Sequence, residues 1–174
     1  DRSKTAAADW YRKAADQGNS DAQYKLGFFY RRGIGVTADD ATSAYWYRKA
    51  ADQGDAEAQL AVGGLYAAGT GVKTDHAEAV TWVRKAANQD NLTAQYMLGV
   101  VYQSGQGVTK SDTDAAYWLT KAADQGHVTA QSNLAYMYRT GRGVPQDDVK
   151  AADLYRKAAA KGDRNALVNL AHMY

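Results

Sequence analysis

The chain has 174 residues, and its 21 Lys and Arg against 19 Asp and Glu give a net charge of +2, without the basic excess typical of nucleic-acid binding. It contains no cysteine, which excludes disulfides and thiolate metal sites. It also lacks an apolar run of the roughly 18 residues that a membrane-spanning helix requires. Hydrophobic residues make up 45% of the chain, which is enough for a core.

The tripeptide Lys-Ala-Ala recurs every 36 residues and defines a repeat. It begins at Lys13, Lys49, Lys85, Lys121 and Lys157. The tryptophans all occupy one equivalent position of this repeat, at Trp10, Trp46, Trp82 and Trp118. We call such a set of equivalent positions a frame. A fixed period of about 20–50 residues is typical of arrays of supersecondary units, and it favours binding over catalysis. We expect the Lys-Ala-Ala segments and the tryptophans to form the contacts by which one repeat stacks on the next.

Each repeat is predicted to hold two helices, because proline is absent from both apolar segments and Ala, Leu, Lys, Arg and Gln are abundant. In the first complete repeat, one helix runs from Ser20 to Arg32 and another from Asp39 or Asp40 to Gln53. Residues 1–18 are predicted to form the second helix of a partial repeat. Four complete repeats follow at 19–54, 55–90, 91–126 and 127–162, and residues 163–174 are predicted to form the first helix of a further repeat. These about ten helices predict an all-α, right-handed α/α solenoid, and we expect it to be a piece of a longer array.

The turns carry their own signals in chain order. Gly33 and its equivalents follow the last apolar position of each first helix, where a left-handed residue closes a helix. The aspartate pair Asp39 and Asp40 begins the second helix and is suited to cap its backbone N–H groups. The turn after the second helix ends in glycine except in the third repeat, where Asp90 takes that position. We expect Asp90 to adopt the left-handed conformation.

Comparison of the repeats separates two sides of the first helix. The frames of Leu26 and Tyr30 hardly vary from repeat to repeat, which indicates packing. The frames of Tyr24, Phe28 and Arg31 vary freely, and they lie on the opposite side of a helical wheel. First helices commonly line the concave surface of such an array, so we expect a partner protein or peptide to bind there. The candidate residues are Tyr24, Phe28, Arg31, Arg32, Leu60, Tyr96, Val100, Gln103, Tyr136 and Arg139.

The repeat pattern resembles that of the Sel1-like repeat family, a bacterial relative of the tetratricopeptide repeat. The residues that carry the resemblance are Ala22, Leu26, Gly27, Tyr30, Gly33, Gly35, Val36, Asp39, Ala44, Trp46, Tyr47, Lys49, Ala50, Ala51 and Gly54. The resemblance implies a non-catalytic scaffold or adaptor that binds other proteins. It also implies a bacterial protein of the periplasm or envelope, or a secreted one, with a role in envelope or host-interaction processes.

Two other functions stay open. The resemblance extends to cysteine-rich relatives linked to β-lactam hydrolysis or cell-wall-fragment binding, but this chain has no cysteine and no visible nucleophile–base pair. A structural spacer is the other alternative. His76, His127 and His172 fall in different frames without metal-ligand spacing, so no metal and no cofactor are expected. The recurring Gly-x-Gly-Val follows no strand and is explained by the turn rather than by phosphate binding.

Overall fold

The computed structural model describes residues 2–173; Asp1 and Tyr174, which we assigned to the first and last helices, lie outside this range. Within residues 2–173 the chain forms ten α-helices and no strand. The helices are α1 Arg2–Asp16, α2 Ser20–Arg32, α3 Asp40–Asp52, α4 Ala56–Ala68, α5 His76–Ala87, α6 Leu92–Ser104, α7 Asp112–Asp124, α8 Val128–Thr140, α9 Asp148–Ala160 and α10 Arg164–Ala171. This confirms the predicted helical solenoid with repeats of about 36 residues.

The helices group into two compact units. Unit 1 comprises the described residues up to Asn91, with α1 to α5, and unit 2 those from Leu92 onward, with α6 to α10. Within each unit every helix packs against its neighbours in the chain. Each unit therefore buries its core through contacts between successive helices, as expected for stacked repeats.

The helix ends follow the predicted signals. The Asp39 carboxylate accepts hydrogen bonds from the backbone N–H groups of Ala41 and Thr42 at the start of α3. Gly33 closes α2 with φ 63°, and its N–H donates to the Phe29 carbonyl. Asp90 has φ 59° and is the only non-glycine residue with positive φ among residues 2–173, which confirms its expected left-handed conformation. The last helix is shorter than expected, because α10 ends at Ala171.

Small residues let the paired helices approach closely. The alanines that follow Lys49 are buried between α3 and its neighbours. In α4, a Cβ added to Gly63 would meet Cγ2 of Val83 in α5 at 2.6 Å, which is closer than real Cβ contacts allow. Every first helix has a small residue at this repeat position, because the second helix packs closely against it; the residues are Gly27, Gly63, Gly99, Ala135 and Ala171.

A buried glutamine joins each first helix of unit 1 to the helices on either side. Gln23 donates to the Ala15 carbonyl at 3.1 Å, and its Oε1 accepts a 2.7 Å hydrogen bond from Gln53 Nε2. The same glutamine pair recurs as Gln59 with Gln89 and as Gln95 with Gln125. Because the buried amide is satisfied on both sides, it ties three successive helices together at little desolvation cost.

In the last complete repeat, a lysine replaces the second glutamine of this pair. Lys161 occupies the position of Gln53 and donates to the Gly126 carbonyl, and the buried Oε1 of Gln131 has no hydrogen-bond partner in the described part of the chain. We expect Lys161→Gln to raise the free energy of unfolding by about 1 kcal/mol, because the new amide would satisfy Gln131. Urea unfolding followed by circular dichroism measures it. The control Lys161→Ala supplies no donor, and an equal gain in that variant would contradict the explanation.

Candidate partner-binding surface

The exposed side of the first helices carries the residues that vary between repeats. Leu26 in α2 is 0% exposed, whereas Phe28 is 41%, Val100 is 36% and Tyr136 is 42% exposed. These apolar side chains are therefore exposed to solvent, at positions where packing of the core does not require them. We call this side of α2 and α4 the unit 1 face, and the same side of α6 and α8 the unit 2 face.

On the unit 1 face, Tyr24 has a structural contact that the sequence analysis missed. Its ring lies 5.4 Å from the ring of buried Tyr47, and Tyr24 packs partly buried against the core cluster of α3 and α4. The sequence placed Tyr24 on the side of the helix opposite the packing residues, whereas its ring is in fact partly buried. Phe28, Arg31 and Arg32 are exposed. These three residues form the accessible part of the unit 1 face, with half-buried Leu60 on α4.

The two tyrosines stay uncharged far above neutral pH. Burial raises the pKa of Tyr47 to about 12. Burial also raises the pKa of Tyr24, with smaller contributions from the nearby carboxylates of Glu57 and Asp55. Tyr24 therefore presents a neutral hydroxyl beside acidic groups, while its ring helps to hold the helix pair.

On the unit 2 face, Tyr96 stacks on a histidine of the next repeat. The rings of Tyr96 and His127 lie 4.3 Å apart with an interplanar angle of 18°. His127 also caps α8, since its Nδ1 accepts from the N–H of Ala130 at 3.2 Å. Burial lowers the pKa of His127, which favours the neutral acceptor form that the cap requires. The pair is thus a preformed aromatic platform between α6 and α8.

The remaining predicted residues of the unit 2 face surround Tyr136. Arg139 places its guanidinium 5.6 Å from the centre of the Tyr136 ring. Gln103 donates to the sulfur of Met137 at 3.4 Å, and Val100 is exposed one turn before Gln103. The structure therefore brings an aromatic ring, an amide and a cation into one neighbourhood.

A groove of about 410 Å³ lies beside these residues. It is lined by Gln103, Lys110, Asn133, Tyr136 and Arg142. Two of these residues were predicted, whereas Lys110, Asn133 and Arg142 were missed. Their frames also vary between repeats, reading Ala38, Thr74, Lys110 and Gln146 for the lysine position. The same comparison of repeats, extended from the helices to the turns, would have found them.

The second helices expose aromatic residues that the sequence analysis did not select. Tyr45 and Tyr117 are each more than half exposed, and each ring packs edge-on against the tryptophan that follows it. Beside Tyr45 a groove of about 250 Å³ is lined by Arg48, Tyr66 and Val72 among others. This second surface provides a control for any test of the first-helix faces.

The histidines and acidic residues show no metal-binding arrangement. Among residues 2–173, no group of three or more His, Cys, Asp or Glu side chains is placed to hold a metal ion. His76 begins α5, and His172 follows α10 as its C-cap. In the same range, none of the helices has the length and apolar character needed to cross a membrane.

Comparison with known proteins gives a consistent family match. The Sel1 repeat matches five segments, residues 1–19, 20–55, 56–91, 92–127 and 128–163. No curated protein sequence matches the chain significantly.

Several solved structures are similar. A protective antigen of uropathogenic Escherichia coli strains with an SLR fold is 38% identical, with a TM-score of 0.95 over 97% of this chain and 36% of its own. A Sel1 repeat protein from Oxalobacter formigenes is 37% identical, with a TM-score of 0.92 over 98% of this chain and 50% of its own. An immunity protein from Pseudomonas aeruginosa is 25% identical, with a TM-score of 0.53 over 91% of this chain and 58% of its own. The chain thus spans about a third to a half of the length of the first two.

Proposed function

The chain belongs to the Sel1 repeat family, and from this premise we propose that it is a scaffold that holds a protein or peptide partner on its first-helix faces. Sel1 repeat proteins generally mediate protein–protein interaction, and their fold is typical of non-catalytic scaffolds. An envelope or host-interaction setting is part of the proposal, and the similarity to a protective antigen supports it.

One observation carries the choice of surface. The repeats share their packing residues, yet Phe28, Val100 and Tyr136 occupy one frame whose other members are as different as Gly64 and His172. Packing does not require an apolar side chain in that frame, because Gly64 replaces it without loss of the helix. Exposed aromatic residues beside arginines are the residues that dominate binding energy at protein interfaces.

The test uses photo-crosslinking amino acids placed at single positions. We expect a benzophenone side chain at Phe28 or Val100 to yield a covalent adduct with one protein species in the native cell. The matched controls carry it at Tyr45 and Tyr117, which are more exposed than Phe28 and Val100 but lie on second helices. Adducts confined to Tyr45 and Tyr117 would place the partner elsewhere and contradict the proposal. No adduct at any of the four positions would contradict it too, in favour of the spacer alternative.

A loss-of-binding variant complements the crosslinks. We choose Phe28→Ala with Val100→Ala, because both side chains are exposed, and we avoid Tyr24 because it packs on Tyr47. We expect the helix content to be unchanged and the affinity for the crosslinked protein to fall at least tenfold. Binding that survives in the folded double variant would contradict the role of these residues.

A further inference from the structure

We infer that the groove of unit 2 is a subsite for the carboxylate groups of an acidic peptide segment, a conclusion that rests on the proposed function and names the chemistry of the partner there. The groove has a volume of about 410 Å³, within the size range of sites that enclose a few side chains. Its walls come from the end of α6, the turn after it, α8 and the turn after α8. It therefore lies between successive repeats of unit 2.

The groove carries an excess of positive charge. Lys110 and Arg142 line it, and Arg139 lies next to it over the ring of Tyr136. Within residues 2–173, neither Lys110 nor Arg139 forms an ion pair. The third cation, Arg142, pairs with the carboxylate of Asp112. Three cations against one anion leave a local field that attracts carboxylates.

Arg142 is both held in place and only partly used. Its Nη2 donates to Asp112 Oδ1 at 2.9 Å, and its Nε donates to Asp112 Oδ2 at 3.3 Å. A guanidinium has five N–H donors; two bind Asp112 and another interacts with the Tyr136 hydroxyl, so two remain. Because Asp112 fixes the plane of the guanidinium, a second carboxylate would meet a preorganised donor.

The other lining residues suit a peptide rather than a small ion. Gln103 donates one of its two amide N–H groups to the sulfur of Met137, a weak acceptor, and the second can donate to a peptide carbonyl. Asn133 adds a second amide on α8, and the exposed ring of Tyr136 offers apolar area for the stem of a glutamate. Amides, an aromatic face and guanidinium donors together match the backbone and side chains of an acidic segment.

The repeat provides an internal comparison. The equivalent positions in unit 1 hold Arg31, Ala38, Ala61, Gly64 and Thr70. Unit 1 therefore has one cation and no aromatic residue in these frames, yet its helices pack in the same way. Since stacking of repeats does not require Lys110, Tyr136 or Arg142, their presence together in unit 2 points to recognition of a ligand.

The test is a titration of the full chain with a defined peptide, acetyl-Glu-Ala-Glu-Ala-Glu-amide, at low salt. Nuclear magnetic resonance is expected to show saturable shifts confined to residues around Gln103, Tyr136 and Arg142. Lys110→Gln is expected to weaken binding about twofold to fivefold, the range of one exposed charge pair. Arg142→Gln is expected to weaken it at least as much, with circular dichroism confirming the fold. Lys73→Gln removes an exposed charge in unit 1 and is expected to leave the dissociation constant unchanged.

Two results would overturn the inference. One is equal binding of acetyl-Gln-Ala-Gln-Ala-Gln-amide, which would remove the role of the carboxylates. The other is unchanged binding of the acidic peptide in Lys110→Gln, a variant that breaks no ion pair in the described part of the chain. If the peptide fails while Phe28 and Val100 still crosslink a partner, only the acidic ligand class is overturned. If those crosslinks fail while the peptide binds, the scaffold proposal is overturned.

Discussion

Gly71→Ala is expected to lower the free energy of unfolding by about 2–5 kcal/mol, the sum of a left-handed alanine and an overpacked contact. Gly71 has φ 68°, and a Cβ there would run into the backbone carbonyl of Asp40 and lie 2.9 Å from the Ala41 nitrogen. Backbone atoms of a helix start cannot move aside as a flexible side chain does. Urea unfolding followed by circular dichroism measures the loss.

Gly54→Ala is the matched control for this contact. Gly54 also has positive φ, at 95°, but a Cβ there would meet no heavy atom within 4 Å. We expect it to cost about 1–2 kcal/mol, the backbone term alone. The difference between the two variants then measures the approach of the turn at Gly71 to α3. Equal costs for both substitutions would show that this approach contributes nothing to stability.

Trp82→Ala is expected to cost about 3–5 kcal/mol, the range for removing a large aromatic residue from a core. Trp82 is 2% exposed in the core cluster of unit 1. The guanidinium of Arg48 lies 4.6 Å and the ammonium of Lys85 lies 3.7 Å from its ring centre, and its indole N–H donates to Glu78 at 2.8 Å. Truncation would leave a cavity between repeats and remove all three polar contacts. Urea titration with circular dichroism, which does not depend on tryptophan fluorescence, gives the value.

Trp10→Ala is the comparison in the same repeat frame. Trp10 is 68% exposed, and the Lys13 ammonium lies 4.3 Å from its ring centre. We expect a cost of about 0.5–1 kcal/mol, typical of an exposed residue with one cation–π contact. If Trp10→Ala were as costly as Trp82→Ala, burial by the preceding repeat would not be the reason for the tryptophan frame.

The contrast between Trp10 and Trp82 shows where reasoning from the sequence stops. The frame predicted that all four tryptophans stack repeats together, and for Trp82 it is correct. Trp10, on the first described helix, is 68% exposed, because burial at this position depends on the neighbouring repeat rather than on the residue itself. Tyr24 shows the opposite error: its variable frame suggested a free aromatic ring, while the structure packs that ring on Tyr47.

Only part of the candidate site could be predicted from the sequence. Variation between repeats identified Gln103 and Tyr136, because the helical period separates packing from exposed frames without any knowledge of neighbours. Lys110 and Arg142 lie in turns, which have no helical period, and Lys110 meets Tyr136 only when the turn after α6 lies beside α8. The salt bridge of Arg142 with Asp112 joins residues 30 positions apart. No local pattern encodes such a pair.

The order of residues along the chain was enough to predict the repeat, the helices and their ends, including the left-handed Asp90 between the second helix of one repeat and the first helix of the next. These features depend on the helical period, on capping and on backbone conformation, which act within a few residues. The packing of helices and turns was needed to show that Gly71 abuts α3, that Tyr24 is partly buried and that Lys110 lies near Tyr136. These outcomes depend on contacts between residues more than 20 positions apart in the chain, which form only when helices and turns pack together.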